Sequence, residues 1–181
     1  LAEEEKRSGG STVRVFSLAV LVMALVLAGL YENLLYPFII LITVPLALLG
    51  ALGGLVLRGL PLDVYGQMGL LVLVALAAKN GILIVEFANQ RLREGLNLDQ
   101  AIRDSARSRL RPILLTAISS LAGFLPLLLA SGSSASSRIS IGTVVFFGLL
   151  VATVLSLFVV PSSYRLIKGW ELELKARRSH G

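Results

Sequence analysis

Five stretches of this chain are apolar over lengths that cross a lipid bilayer: 13–32, 36–57, 65–87, 110–130 and 139–166. About 18–20 helical residues span roughly 30 Å of hydrocarbon. Inside that layer the backbone must satisfy its own hydrogen bonds, and for runs of this length that means helix. The pattern predicts an all-α membrane protein with five transmembrane helices. The hydrophobic fraction of 55% and the mean hydropathy of +0.82 agree, lying above the usage of soluble domains.

The net charge of +6 follows membrane side and carries no nucleic-acid signature. The loop between the third and fourth spans holds Arg91, Arg93, Arg103, Arg107, Arg109 and Arg111, and the tail 167–181 with its approach adds Arg165, Lys168, Lys175, Arg177 and Arg178. In a five-span protein those eleven basic groups share one side. The other side has five: Lys6, Arg7, Arg14, Arg58 and Arg138. The excess predicts a cytoplasmic C-terminus and an N-terminus outside. The start, Leu1-Ala2-Glu3-Glu4-Glu5-Lys6-Arg7, has no initiator Met and no basic stretch ahead of an apolar one. It reads as the middle of something longer, not as a signal peptide.

Local signals refine the layout. The first span ends near Tyr31, and a short turn makes spans one and two an antiparallel pair. Pro45 kinks the second span, which also carries the small residues Gly50, Ala51, Gly53 and Gly54. Residues 90–108 alternate Leu92, Leu96, Leu98, Ala101 and Ile102 with Arg91, Arg93, Asp99, Arg103 and Asp104. This predicts an amphipathic helix on the cytoplasmic face, capped by Asn97. Pro112 is expected in the first turn of the fourth span, where its missing N–H costs nothing. Residues 131–138 form a short Gly/Ser-rich external loop, and the fifth span is expected to end at Pro161, with a basic helix beyond.

Lys79 lies deep within the third span, about 21 Å along the helix from Tyr65. A charge at that depth costs at least about 2.5 kcal/mol. It marks an ion or proton pathway unless the side chain snorkels out, and no carboxylate in the sequence shares its depth. Asn80 beside it either orients the lysine or makes an interhelical hydrogen bond. Glu86 lies two turns on, near the interface, where a solvated carboxylate is cheap. Arg109 and Arg111 read singly as interfacial anchors, and Thr116 as a hydroxyl bonded to its own i−4 carbonyl. Together Arg109, Thr116 and Lys79 trace a candidate line from the cytoplasmic mouth inward. Enzymatic sites fare badly: no paired carboxylates or Ser/His/Asp set lie in the spans. With no cysteine and a single histidine, His180, thiolate and histidine metal sites are excluded.

Several motifs stand in order: Leu30-Tyr31-Glu32, Arg58-Gly59-Leu60, Asp63-Val64-Tyr65, the run from Ala78-Lys79-Asn80-Gly81 to Val85-Glu86-Phe87, and Arg109-Leu110-Arg111-Pro112-Ile113-Leu114. Ser137-Arg138-Ile139-Ser140-Ile141-Gly142 and Phe158-Val159-Val160-Pro161 follow. The chain resembles the C-terminal membrane half of resistance–nodulation–division (RND) permeases of the hydrophobe/amphiphile efflux branch. The resemblance implies helices eight to twelve of a twelve-helix pseudo-symmetric bundle, with 1–12 a periplasmic stub. It implies drug/proton antiport in the bacterial inner membrane, with protons as the coupling ion and no other cofactor. Lys79 matches a lysine paired with two aspartates on the fourth helix, and Arg109 and Thr116 match residues completing the proton relay. The implied partners are the N-terminal half of the permease, two further copies in a homotrimer, a periplasmic adaptor and an outer-membrane channel. The aspartate-bearing helix and the drug-binding porter domains are absent from these residues. Two other readings stay open from the sequence: a short or split structural membrane subunit, and an RND exporter of a metal, lipid or protein.

Overall fold

The computed structural model describes residues 14, 17–26, 29, 41–132 and 134–179, of which 171–179 are described as backbone alone. These residues form helices and turns, with no strand among them. The helices are α1 (Ser17–Val26), α2 (Thr43–Leu57), α3 (Val64–Arg93), α4 (Leu98–Leu128) and α5 (Ala135–Ser179). Three are long and apolar enough to cross a membrane: α3, α4 and the Ala135–Trp170 part of α5. The spans expected at 13–32 and 36–57 are described only in part, as the shorter α1 and α2. The stub 1–12 and the turn after Tyr31 lie outside the described residues.

Helix ends follow local chemistry. Asp63 takes an extended conformation and its carboxylate accepts the Gly66 N–H at 2.7 Å, starting α3. Arg91 and Arg93 close that helix, where cations suit the exposed carbonyls. Gly95 then turns the chain at φ +91°, a conformation that penalises any Cβ. Asn97 caps α4 as its sequence position suggests, accepting the Gln100 N–H at 2.9 Å.

Two proline expectations are corrected. Pro112 does not open a helix; it sits fourteen residues after Leu98 inside the unbroken α4. The amphipathic stretch expected as a separate helix at 90–108 is divided between the end of α3, a turn, and the start of α4. Nothing between Leu98 and Arg111 breaks a helix, and Ala101, Ile102, Ser105, Ile113 and Ala117 form one buried face across the join. That packing outweighs the single hydrogen bond Pro112 removes. Pro161 likewise lies inside α5, between the buried Val160 and Tyr164. Helix α5 also begins at Ala135, earlier than the expected 139.

α5 is the central post, packed against α2, α3 and α4. Small residues bring α2 and α5 close. A Cβ on Gly50 would stand 2.6 Å from Val151 Cβ and 2.7 Å from the Phe147 carbonyl oxygen, and one on Gly54 would meet Phe147. Gly53 is different: a Cβ there meets no described residue within 4 Å, so the small-residue face that packs on α5 is Gly50, Ala51 and Gly54. The core has two clusters. One joins Ala47, Ala51, Leu73, Val144 and Ala152 of α2, α3 and α5; the other joins Ile84, Val85, Ile102, Ile113, Val160 and Tyr164 of α3, α4 and α5.

Candidate functional site

The packing of α3 decides where Lys79 goes. Gly69, Leu73, Ala77, Asn80, Gly81 and Ile84 turn toward the other helices and are buried. Tyr65, Met68, Val72, Lys79 and Glu86 return at intervals of three, four and seven residues, which puts them on one face of a helix. All five are exposed. Lys79 therefore stands on the side of α3 that α2, α4 and α5 leave uncovered. Among the described residues it has neither an ion-pair nor a hydrogen-bond partner, and neither does Glu86.

Asn80, one residue on, is rotated about 100° around the helix and is buried. Its Nδ2 donates to Thr153 Oγ1 at 3.3 Å, tying α3 to α5. Of the two roles open from the sequence, the geometry is that of the interhelical hydrogen bond.

Thr116 and Arg109 are both on α4. Thr116 is exposed and its hydroxyl donates to the Ile113 carbonyl at 3.0 Å. The bond goes three residues back, where the sequence suggested four; its oxygen keeps free lone pairs. Arg109 is half-buried, with its guanidinium carbon 4.5 Å from the centre of the Phe87 ring. Arg91 approaches the same ring at 5.0 Å and pairs with Glu94 at 2.9 Å. The Nε atoms of Arg91 and Arg109 are buried and have no hydrogen-bond partner among the described residues. No hydrogen bond or ion pair among the described residues joins Lys79, Glu86, Arg109 and Thr116 to one another.

Sequence reasoning missed three contributors. Phe87 is four residues before Arg91, an aromatic–cation spacing on one helix face that was visible in the sequence. Tyr164 donates its phenol hydrogen to Asn89 Oδ1 in a short buried bond, and Ser140 donates to Asp63 Oδ2 at 3.0 Å. Each of these pairs is separated by more than seventy residues, so no local pattern announced it. No group of His, Cys, Asp or Glu among the described residues could hold a metal ion.

Comparison with known proteins matches this sequence to a family. Residues 1–168 fit the AcrB/AcrD/AcrF family. The chain is 46% identical over 161 residues to the toluene efflux pump membrane transporter TtgB of Pseudomonas putida. It is 43% identical over 168 residues to the toluene efflux pump membrane transporter TtgE of the same species, and 40% identical over 169 to the multidrug resistance protein MdtF of Escherichia coli. These matches cover 89–93% of this chain and 15–16% of the relatives. A chain whose described residues form long apolar helices, matched over nearly its whole length, belongs to the AcrB/AcrD/AcrF family of RND efflux permeases.

Proposed function

We propose that this chain forms part of the membrane domain of a proton-driven efflux permease for drugs or solvents. In that permease it supplies the cationic side of the proton relay. The observation that carries the reading is the placement of Lys79: a charge on the uncovered face of an otherwise apolar helix, without a partner among the described residues. In an apolar layer such a charge is costly, and a covering surface that offers it a negative charge offsets that cost.

The resemblance supplies that charge as two aspartates on a helix of the N-terminal half. With the aspartates ionised, Lys79 pairs with them and the halves are held together at this point. A proton arriving from the periplasmic side neutralises a carboxylate and removes most of the attraction. Lys79 is then released, and the helices relax into a second arrangement that moves cargo in distant domains. Arg109, at the arginine-rich end, keeps the path electropositive and steers the proton off the carboxylates. Thr116 lends its free lone pairs to ordered water along the way.

The relatives' names include toluene and multidrug efflux, which supports a hydrophobic or amphiphilic cargo. The permease is read as an inner-membrane homotrimer joined to a periplasmic adaptor and an outer-membrane channel, with this chain's N-terminus periplasmic and its C-terminus cytoplasmic. The test is Lys79→Ala in the permease that carries this segment, expressed in a pump-deficient bacterium. The expected result is loss of dye efflux at unchanged membrane abundance. Efflux at the wild-type rate would refute the reading.

A further inference from the structure

We propose that Phe87 is a positioning residue for Arg109: its ring holds the guanidinium in place without occupying the hydrogen-bond donors at the guanidinium's outer end. The inference rests on the reading above, in which Arg109 lines the proton path. A cation in that role has to be fixed, yet a carboxylate that fixed it would neutralise it. An aromatic face attracts a guanidinium through its quadrupole and leaves both the charge and the in-plane donors free.

The geometry fits this division. The Arg109 guanidinium lies 4.5 Å from the Phe87 centroid, and among the described residues its buried Nε has no hydrogen-bond partner and no carboxylate pairs with it. The helices are locked where ring and cation meet. Ala88, next to Phe87, and Ile113, one turn beyond Arg109, belong to the same buried cluster. The ring carries a second guanidinium, Arg91 at 5.0 Å, but that charge is offset by Glu94 at 2.9 Å. Arg109 is thus the uncompensated cation of the pair. Glu86, adjacent to Phe87, is exposed and without a partner.

The experiment compares ring and bulk in the permease that carries this segment, in a pump-deficient host. Maximal dye-efflux rate, apparent KM for dye and membrane abundance are measured for F87L, F87M, F87Y, F87W and R109A. Per molecule in the membrane, F87L and F87M are expected to lower the maximal rate about five- to thirty-fold, the equilibrium worth of a partly desolvated cation–π contact. Apparent KM should stay unchanged, because the cargo binds elsewhere. F87Y and F87W, which keep an aromatic face, should run near the wild-type rate. A packing role would give the opposite order, with F87L and F87M active and the larger F87W impaired, and that order overturns the proposal. So does an F87Y rate as low as that of F87L. The R109A variant separates the two claims. If R109A is inactive and F87L is normal, the positioning role alone fails. If R109A transports normally, Arg109 is not on the proton path and both fail.

Discussion

Gly50 and Gly53 lie three residues apart on α2, and the structure predicts opposite responses to the same added methyl group. At Gly53 a Cβ meets no described residue within 4 Å. Gly53→Ala then only removes backbone freedom from the unfolded chain and should stabilise the helix by about 0.5–1 kcal/mol. At Gly50 the new Cβ would lie 2.6 Å from Val151 Cβ and 2.7 Å from the Phe147 carbonyl oxygen. Neither atom is the free end of a flexible side chain, so α2 and α5 must separate by several tenths of an ångström or more. Overpacking of this kind costs about 1–3 kcal/mol. A clash with atoms that cannot swing away belongs in the upper half of that range, about 2–3 kcal/mol, so after the same helix-propensity gain Gly50→Ala should still destabilise by about 1–2.5 kcal/mol, roughly a five- to seventy-fold shift toward the dissociated helices. Thermal unfolding of the purified permease in detergent, followed by loss of the monodisperse chromatographic peak, reads the difference. Gly53→Ala should melt at or above the wild type and Gly50→Ala clearly below it. Equal midpoints for the two variants would refute the close α2–α5 approach on which the packing argument depends.

Two further predictions concern polar contacts between distant parts of the chain. Thr153→Val keeps the shape of the side chain but removes the acceptor for the buried Asn80 amide. It should destabilise by about 0.6–1.7 kcal/mol in the same assay, the range for interhelical hydrogen bonds in membranes, and no change would show that water or lipid replaces the contact. Asp63→Ala removes the cap of α3 and the acceptor of Ser140 together. It should cost about 1–2 kcal/mol, with Ser140→Ala costing less; equal losses would mean the cap contributes nothing.

The helical class was legible because length and apolarity alone decide whether a segment suits a bilayer. Which side of each helix is covered was not. In α3 nearly every side chain from Tyr65 to Ala78 is apolar, so periodicity carries no signal, and only the packing of α5 shows that Leu73 is inside and Val72 outside. The proline boundaries misled for a related reason. Pro112 and Pro161 each impose a local cost, but buried neighbours such as Ile113 and Tyr164 keep both helices continuous. Lys79 stood out as a charge amid apolar residues, whereas the significance of Phe87 depended on the α3–α4 contact that brings Arg109 to its ring.

The central claim is that Lys79 serves proton coupling, and proton movement tests it most directly. The permease that carries this segment would be reconstituted in vesicles bearing a proton gradient, and cargo-stimulated proton flux measured with an internal pH dye for wild type and Lys79→Met. The methionine keeps most of the length and an apolar stem and removes the charge together with its three N–H donors. The account predicts that cargo-stimulated flux disappears in Lys79→Met while cargo still binds. Flux in the variant at the wild-type rate would contradict it.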